Sequence, residues 1–227
     1  MAGLAGSRSR YRPMTGHGSL QGPVGPGWLD APGVPAAAED SPRLRFRRYL
    51  TDHVGDVAET AWYFEQAVPL FGVDAEARLV VEELLDHLAR LMSFDVRHED
   101  AAALSVWSSP SGPQLVVSAM DPTEGVASLR RLAGGLDELR MDGRLRSDRP
   151  STTLAVICGE VRHRPLEQAV EFRRVSEPVR LVGLEALLAL ARALEAGVVS
   201  PAVAVALLQP PSAFADPLIM LLSGTAD

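Results

Sequence analysis

The sequence predicts an α/β fold: one mixed sheet covered by helices on both faces, with an extra N-terminal helix. Three observations carry that expectation. Behind Asp74, a good N-cap, residues Leu79, Val81, Leu84, Leu85, Leu88, Leu91 and Met92 recur at helical spacing. Residues 104–108 and 114–119 are strand-like runs flanking Ser109-Pro110-Ser111-Gly112-Pro113, which has the composition of a hairpin loop. Residues 152–158 form a continuous run bounded by turn residues, as a strand buried on both faces requires.

The elements follow in order. Residues 1–42 hold eight glycines and six prolines with little apolar periodicity, so they are expected to be a disordered tail. Trp28 and Leu29 are its bulky pair, and Met14 is an alternative start. A single domain is expected over residues 43–227. It opens on Arg43, Arg45, Arg47 and Arg48, read as a solvated helix face, in a helical pattern through Trp62, Phe64 and Val68 to about Gly72. The helix after Asp74 leads into strands at 94–98, 104–108 and 114–119. Asp121-Pro122-Thr123-Glu124 opens another helix, carrying Val126, Leu129, Leu132, Leu136 and Leu139. After the strand at 152–158 come a helix at 166–175, a strand at 179–182 and a helix at 184–194 stopped by Gly197. Ser200-Pro201 caps a short helix, and an apolar run at 217–222 is expected to pack back on the sheet or to form an interface.

Composition removes several classes of function. The chain is 47% hydrophobic and 22% charged, enough to bury a core. No apolar stretch approaches the ~20 residues that span a bilayer, and Arg8, Arg10 and Arg12 precede no apolar segment, so a cytoplasmic protein is expected. A net charge of −7 opposes unaided binding to nucleic acid, leaving indirect engagement through a partner. All 22 basic residues are arginine, a bias that a GC-rich genome accounts for. Its chemical consequence is that no lysine Schiff base or lysine general base is possible.

Cys158 with His163 has the makings of an activated thiolate, but a cysteine ending an apolar strand reads as core. His53, His87 and His98 lack metal-ligand spacing. Glu82, Glu83 and Asp86 read as a solvated helix face. Gly134-Gly135 lacks the surroundings of a phosphate loop. Trp62-Tyr63-Phe64 reads as core, with a docking face as the alternative.

The element order resembles the restriction-endonuclease-like fold of the PD-(D/E)XK nuclease superfamily. The likeness rests on the helix over 80–92 running into Phe94-Asp95-Val96, the hairpin from Leu104 to Asp121, and the closing segments from Ala155 through Leu190. The resemblance implies two acidic groups that hold Mg²⁺ and a lysine, on an acid-x-lysine strand, that activates water. Where it places the acid this chain has Ser118, and where it places the lysine, Met120; Ala103 stands near the other aspartate. The site is therefore expected to be degenerate, with no catalytic residue, cofactor or metal. Glu82, Asp100 and Asp121 are the fallback ligands if the acids have migrated. Three readings stay open: an inactive nuclease-like subunit that binds a protein partner or forms a homodimer in a nucleic-acid-related or defence context, an active nuclease with migrated ligands, and an unrelated interaction protein.

Overall fold

The computed structural model describes residues 41–99, 104–109, 112–123, 126–146, 148–159, 179–209 and 215–223. Helix α1 (Pro42–His53) starts under Ser41, whose hydroxyl accepts from the Leu44 N–H; Pro42 sits in the first turn, where a missing N–H costs nothing. The helical pattern read through to Gly72 is broken rather than continuous. Gly55 interrupts it, and Asp56 caps α2 (Val57–Ala67) by accepting from the Glu59 N–H at 2.7 Å. A 3₁₀ turn (Val68–Leu70) leads to α3 (Ala75–Leu91), capped by Asp74 as expected.

Strands β1 (Asp95–Glu99), β2 (Leu104–Ser108) and β3 (Gln114–Met120) form an antiparallel meander. After α4 (Val126–Met141), β4 (Ser151–Ile157) joins parallel to β3, and β5 (Val179–Gly183) joins parallel to β4. The sheet order is β1-β2-β3-β4-β5, so β3 is its central strand. Helices α5 (Leu184–Glu195), α6 (Pro201–Leu207) and α7 (Asp216–Ser223) close the chain.

Strand alternation splits the core in two. Trp107, Leu115, Val117, Leu154, Val156 and Val182 face α3 and α5, with α1, α2 and α7 packed outside them. Leu104, Val106, Val116, Met120, Ala155 and Leu181 face α4 on the opposite side. The expected mixed sheet with helices on both faces is therefore present. The apolar run near the C-terminus becomes α7, which packs on α5 and is tied to the sheet at its start, where the Asp216 carboxylate accepts from the Gly183 N–H of β5. Ile219 is fully buried there, while Leu218 and Leu222 stay exposed. Residues 1–40, Asp100, Ala103, His163 and the helix expected at 166–175 lie outside the described residues. Among the described residues no helix is long and apolar enough to cross a membrane.

Candidate functional site

The site forms where α1, α3 and the first two strands meet. Helix α3 is enclosed on nearly all sides through residues 80–89, because the sheet covers one flank and α1 and α2 cover the others. Its acidic residues are consequently inside. Glu82, Glu83 and Asp86 are all buried, which corrects the solvated face read from the sequence. Two of the N-terminal arginines are turned toward them, which corrects that reading as well.

The Arg43 guanidinium lies at the centre of this group. Its Nε donates to Glu83 Oε1 at 2.5 Å, and one terminal nitrogen donates to Glu82 Oε2 at 3.1 Å. The same nitrogen stands 2.6 Å from His98 Nε2. Arg47 grips Glu83 as a fork, with Nε to Oε2 and a terminal nitrogen to Oε1, both at 2.7 Å. A guanidinium has no acceptor, so the His98 nitrogen facing it carries no proton. The proton then sits on Nδ1, which reaches Asp86 Oδ2 at 3.1 Å. Register explains the rest: His98 on β1 pairs with Ser105 on β2, so both side chains project from the face that meets α3. The Ser105 hydroxyl donates to Asp86 Oδ1, and the Trp107 indole N–H approaches the same oxygen at 3.4 Å.

The two neighbouring carboxylates titrate in opposite directions. Burial pushes the Glu82 carboxyl above its ordinary range, although the Arg43 guanidinium pulls the other way. Burial acts on Asp86 too, but the hydrogen bonds from His98 and Ser105 outweigh it and hold that carboxyl below the usual range. Ligand atoms from Glu83, Asp86 and His98 lie within 4.8 Å of one another, a donor set that suits a metal ion. The surrounding space is small, with about 10 Å³ free beside Glu82, Asp86, His98 and Ser105.

The residues singled out from the sequence are dispersed. Ser118 and Met120 alternate with Val117 along β3, and Met120 packs beneath α4 on the face opposite α3, although Ser118 also lines the small space beside Glu82 and Asp86. The positions of β3 on the α3 side are Leu115, Val117 and Ala119. Of the fallback ligands, Glu82 is in the cluster. Asp121 is buried at the end of β3, where one carboxylate oxygen accepts from the N–H and hydroxyl of Thr123 and the carboxylate closes on Gly72. Cys158 is buried among apolar side chains, which push its thiol up to about 12, as expected for a core cysteine. His87 is buried with Nε2–H donating to the Val54 carbonyl, and His53 caps the exposed end of α1. Phe64 is core, whereas Trp62 and Tyr63 are half-buried. Gly134 lies mid-helix in α4. A larger crevice of about 510 Å³ opens elsewhere, between Phe64 and Val68 on one side and Leu184 and Leu188 on the other.

The sequence missed Arg43, Arg47, His98 and Ser105. Their signal was weak: three acids on a helix otherwise rich in leucine, preceded by a helix whose arginines outnumber its acids.

An antiparallel meander continued by two parallel strands, with α3 laid across the central strand, defines the restriction-endonuclease-like fold. Among solved structures the chain is similar to the restriction endonuclease FokI, at a TM-score of 0.50 and 11% identity over 75% of this chain. The likeness spans 34% of the FokI chain and, at that identity, speaks to the fold alone. No family model and no curated protein matches the sequence.

Proposed function

We propose that this chain is a catalytically inactive nuclease-like domain that serves as a structural or regulatory subunit, engaging a protein partner or a second copy of itself in a nucleic-acid-related or defence setting. One observation carries the reading: the acids beside the central strand are taken up by the chain's own groups, Glu82 and Glu83 by Arg43 and Arg47 and Asp86 by His98 and Ser105. Metal-dependent phosphodiester hydrolysis needs converging carboxylates free to bind a cation, together with a group that activates water. On the α3 side, β3 offers Leu115, Val117 and Ala119, and the chain contains no lysine. Space of about 10 Å³ admits no phosphodiester. The exposed Leu218 and Leu222 of α7 support a partner surface.

The test is a plasmid and RNA cleavage assay on the purified full chain with Mg²⁺ or Mn²⁺, in which no cleavage is expected. Cleavage that co-purifies with the protein and disappears in Glu82→Ala or Asp121→Ala would establish migrated ligands instead.

A further inference from the structure

We infer that the crevice between α2 and α5 is a docking site for the chain's own N-terminal segment, through Trp28, Leu29 and Asp30. The inference rests on the crevice and on the course of the chain, and not on the absence of cleavage. At about 510 Å³ the crevice has the size of a site that encloses a sizeable ligand. Among the described residues, Phe64, Leu184 and Leu188 form its apolar part, and Glu65, Glu185 and Arg192 are exposed charges along it. Asp216 also lines it, with its carboxylate already taken by the Gly183 N–H. A fitting occupant therefore brings apolar bulk, one donor for a carboxylate and one acid for Arg192. Trp28 joins a large apolar body to a single indole N–H, which needs an acceptor once it is covered. Leu29 adds further apolar surface, and Asp30 beside it is the acid that meets Arg192.

The course of the chain brings this segment to the right place. β1 is antiparallel to β2 and β2 to β3, while β4 and β5 run parallel to β3, so β1, β3, β4 and β5 all point the same way. Arg43 touches His98 near the carboxyl end of β1, which puts the start of α1 at that end of the sheet. The crevice opens at the same end, where Gly159 follows β4 and Gly183 closes β5. Phe46 of α1 and Leu188 of α5 also share one half of the core, so both sites lie on one face. From β1 to β5 the sheet order counts four strand spacings, about 19 Å. Trp28 precedes Ser41 by 13 residues, and a flexible chain of that length has a root-mean-square span of about 20 Å. Span and distance match, the condition under which a tether concentrates its far end most strongly at a site.

The test is thiol labelling of the full-length chain carrying Glu185→Cys at the crevice, with and without Trp28→Ala/Leu29→Ala. The native Cys158 is buried and does not compete for the reagent. Removing the pair should speed labelling at the crevice about tenfold, because the site then no longer waits for the segment to leave. Met141→Cys, at an α4 position 79% exposed, is the control and should label at one rate in both backgrounds. Glu65→Cys, on the α2 wall, repeats the measurement if Glu185→Cys fails to fold. Equal crevice rates with and without the pair overturn the inference. So does an equal acceleration at the α4 control, which would mean general loosening. Protection that is lost on dilution overturns it too, because the occupant is then a second copy's segment. As an independent reading, the emission lost in Trp28→Phe should be blue-shifted and shielded from acrylamide. A water-like, freely quenched emission from Trp28 overturns the inference.

Discussion

Helices α3 and α5 lie on the same face of the same sheet and are buried by opposite means. Every buried residue of α5 is leucine or alanine, including Leu187 and Leu190. Buried α3 includes Glu82, Glu83, Asp86 and His87 among its apolar residues. The fold thus has no need of charge to cover this face, since α5 covers its part without any. Charge inside α3 carries a desolvation cost of several kcal/mol per ion, recovered only where partners converge with good geometry. Those partners come from α1, β1 and β2. The difference teaches that α1 is bound to the domain by more than Phe46 and Leu50: it supplies the cations without which α3 is not stable inside.

The largest effects should come from removing one central residue of each helix. Leu187→Ala leaves a cavity and should cost about 3 kcal/mol. Glu83→Ala strands two guanidinium groups and should cost about 3–5 kcal/mol by denaturant unfolding. What separates the helices is reversal. Replacing the whole set, Glu83→Leu with Arg43→Met and Arg47→Met, should recover most of the Glu83→Ala loss, because an apolar core of similar volume is tolerated in its place. No second substitution of charge can recover Leu187→Ala. A cost below about 1 kcal/mol for Glu83→Ala would mean that the ionic cluster contributes little and the comparison is empty.

A double-mutant cycle between Arg47 and Glu83 is the next sharpest measurement. The forked pair against a fully buried carboxylate should couple by about 1–3 kcal/mol. The same cycle on Arg146 and Asp148, an equally close pair on the surface, should give no detectable coupling, because solvent screens it. Equal coupling at the two sites would refute the role given to burial.

Titration distinguishes the helices further, since α5 buries nothing that ionises. His87 is held below its ordinary range by burial, so its contribution is complete above about pH 6.5 and lost as pH falls below it. His87→Gln keeps a donor for the Val54 carbonyl and should flatten the fall in stability below about pH 6.5. Asp86, also held low, contributes above about pH 4 and is lost as pH falls further. Asp86→Asn should therefore flatten only the more acidic limb. A melting curve with both limbs unchanged in the two variants would remove α3 as the source of acid sensitivity.

Much of this fold was legible because its strands and helices announce themselves locally. The hairpin composition at 109–113 lies between β2 and β3, and the run at 152–158 matches β4 to within one residue. The break at Gly55 was not legible, since apolar spacing continues across it and only the Asp56 cap marks the restart. The site was less legible still. An acid on a leucine-rich helix reads as solvent-facing unless something covers that side, and the covering residue, Arg43, lies 40 positions away from Glu83. His98 and Ser105 become partners only through the β1–β2 register, which residue spacing does not display. Met120 fell on the α4 side because strand polarity depends on which helix lies above, a tertiary fact.

The smallest expected effect separates Glu82 from Glu83, its neighbour in sequence. Glu82 makes one contact to Arg43, at 3.1 Å, while Glu83 is gripped by both arginines. Burial pushes the Glu82 carboxyl up, so the folded state favours its protonated form. Its contribution is then fully present below the ordinary glutamate value of about 4.3 and is lost as pH rises through the raised folded value. At pH 7 the ionised side chain is thus a slight burden on the folded state. Glu82→Gln removes the charge and keeps an acceptor for Arg43, which retains Glu83 and His98. Stability at pH 7 should change by less than about 1 kcal/mol, in either direction, with any gain shrinking toward pH 4. A loss at pH 7 as large as that of Glu83→Ala would show that the two carboxylates act as one site, and that the Arg43 contact to Glu82 is as strong as the fork on Glu83.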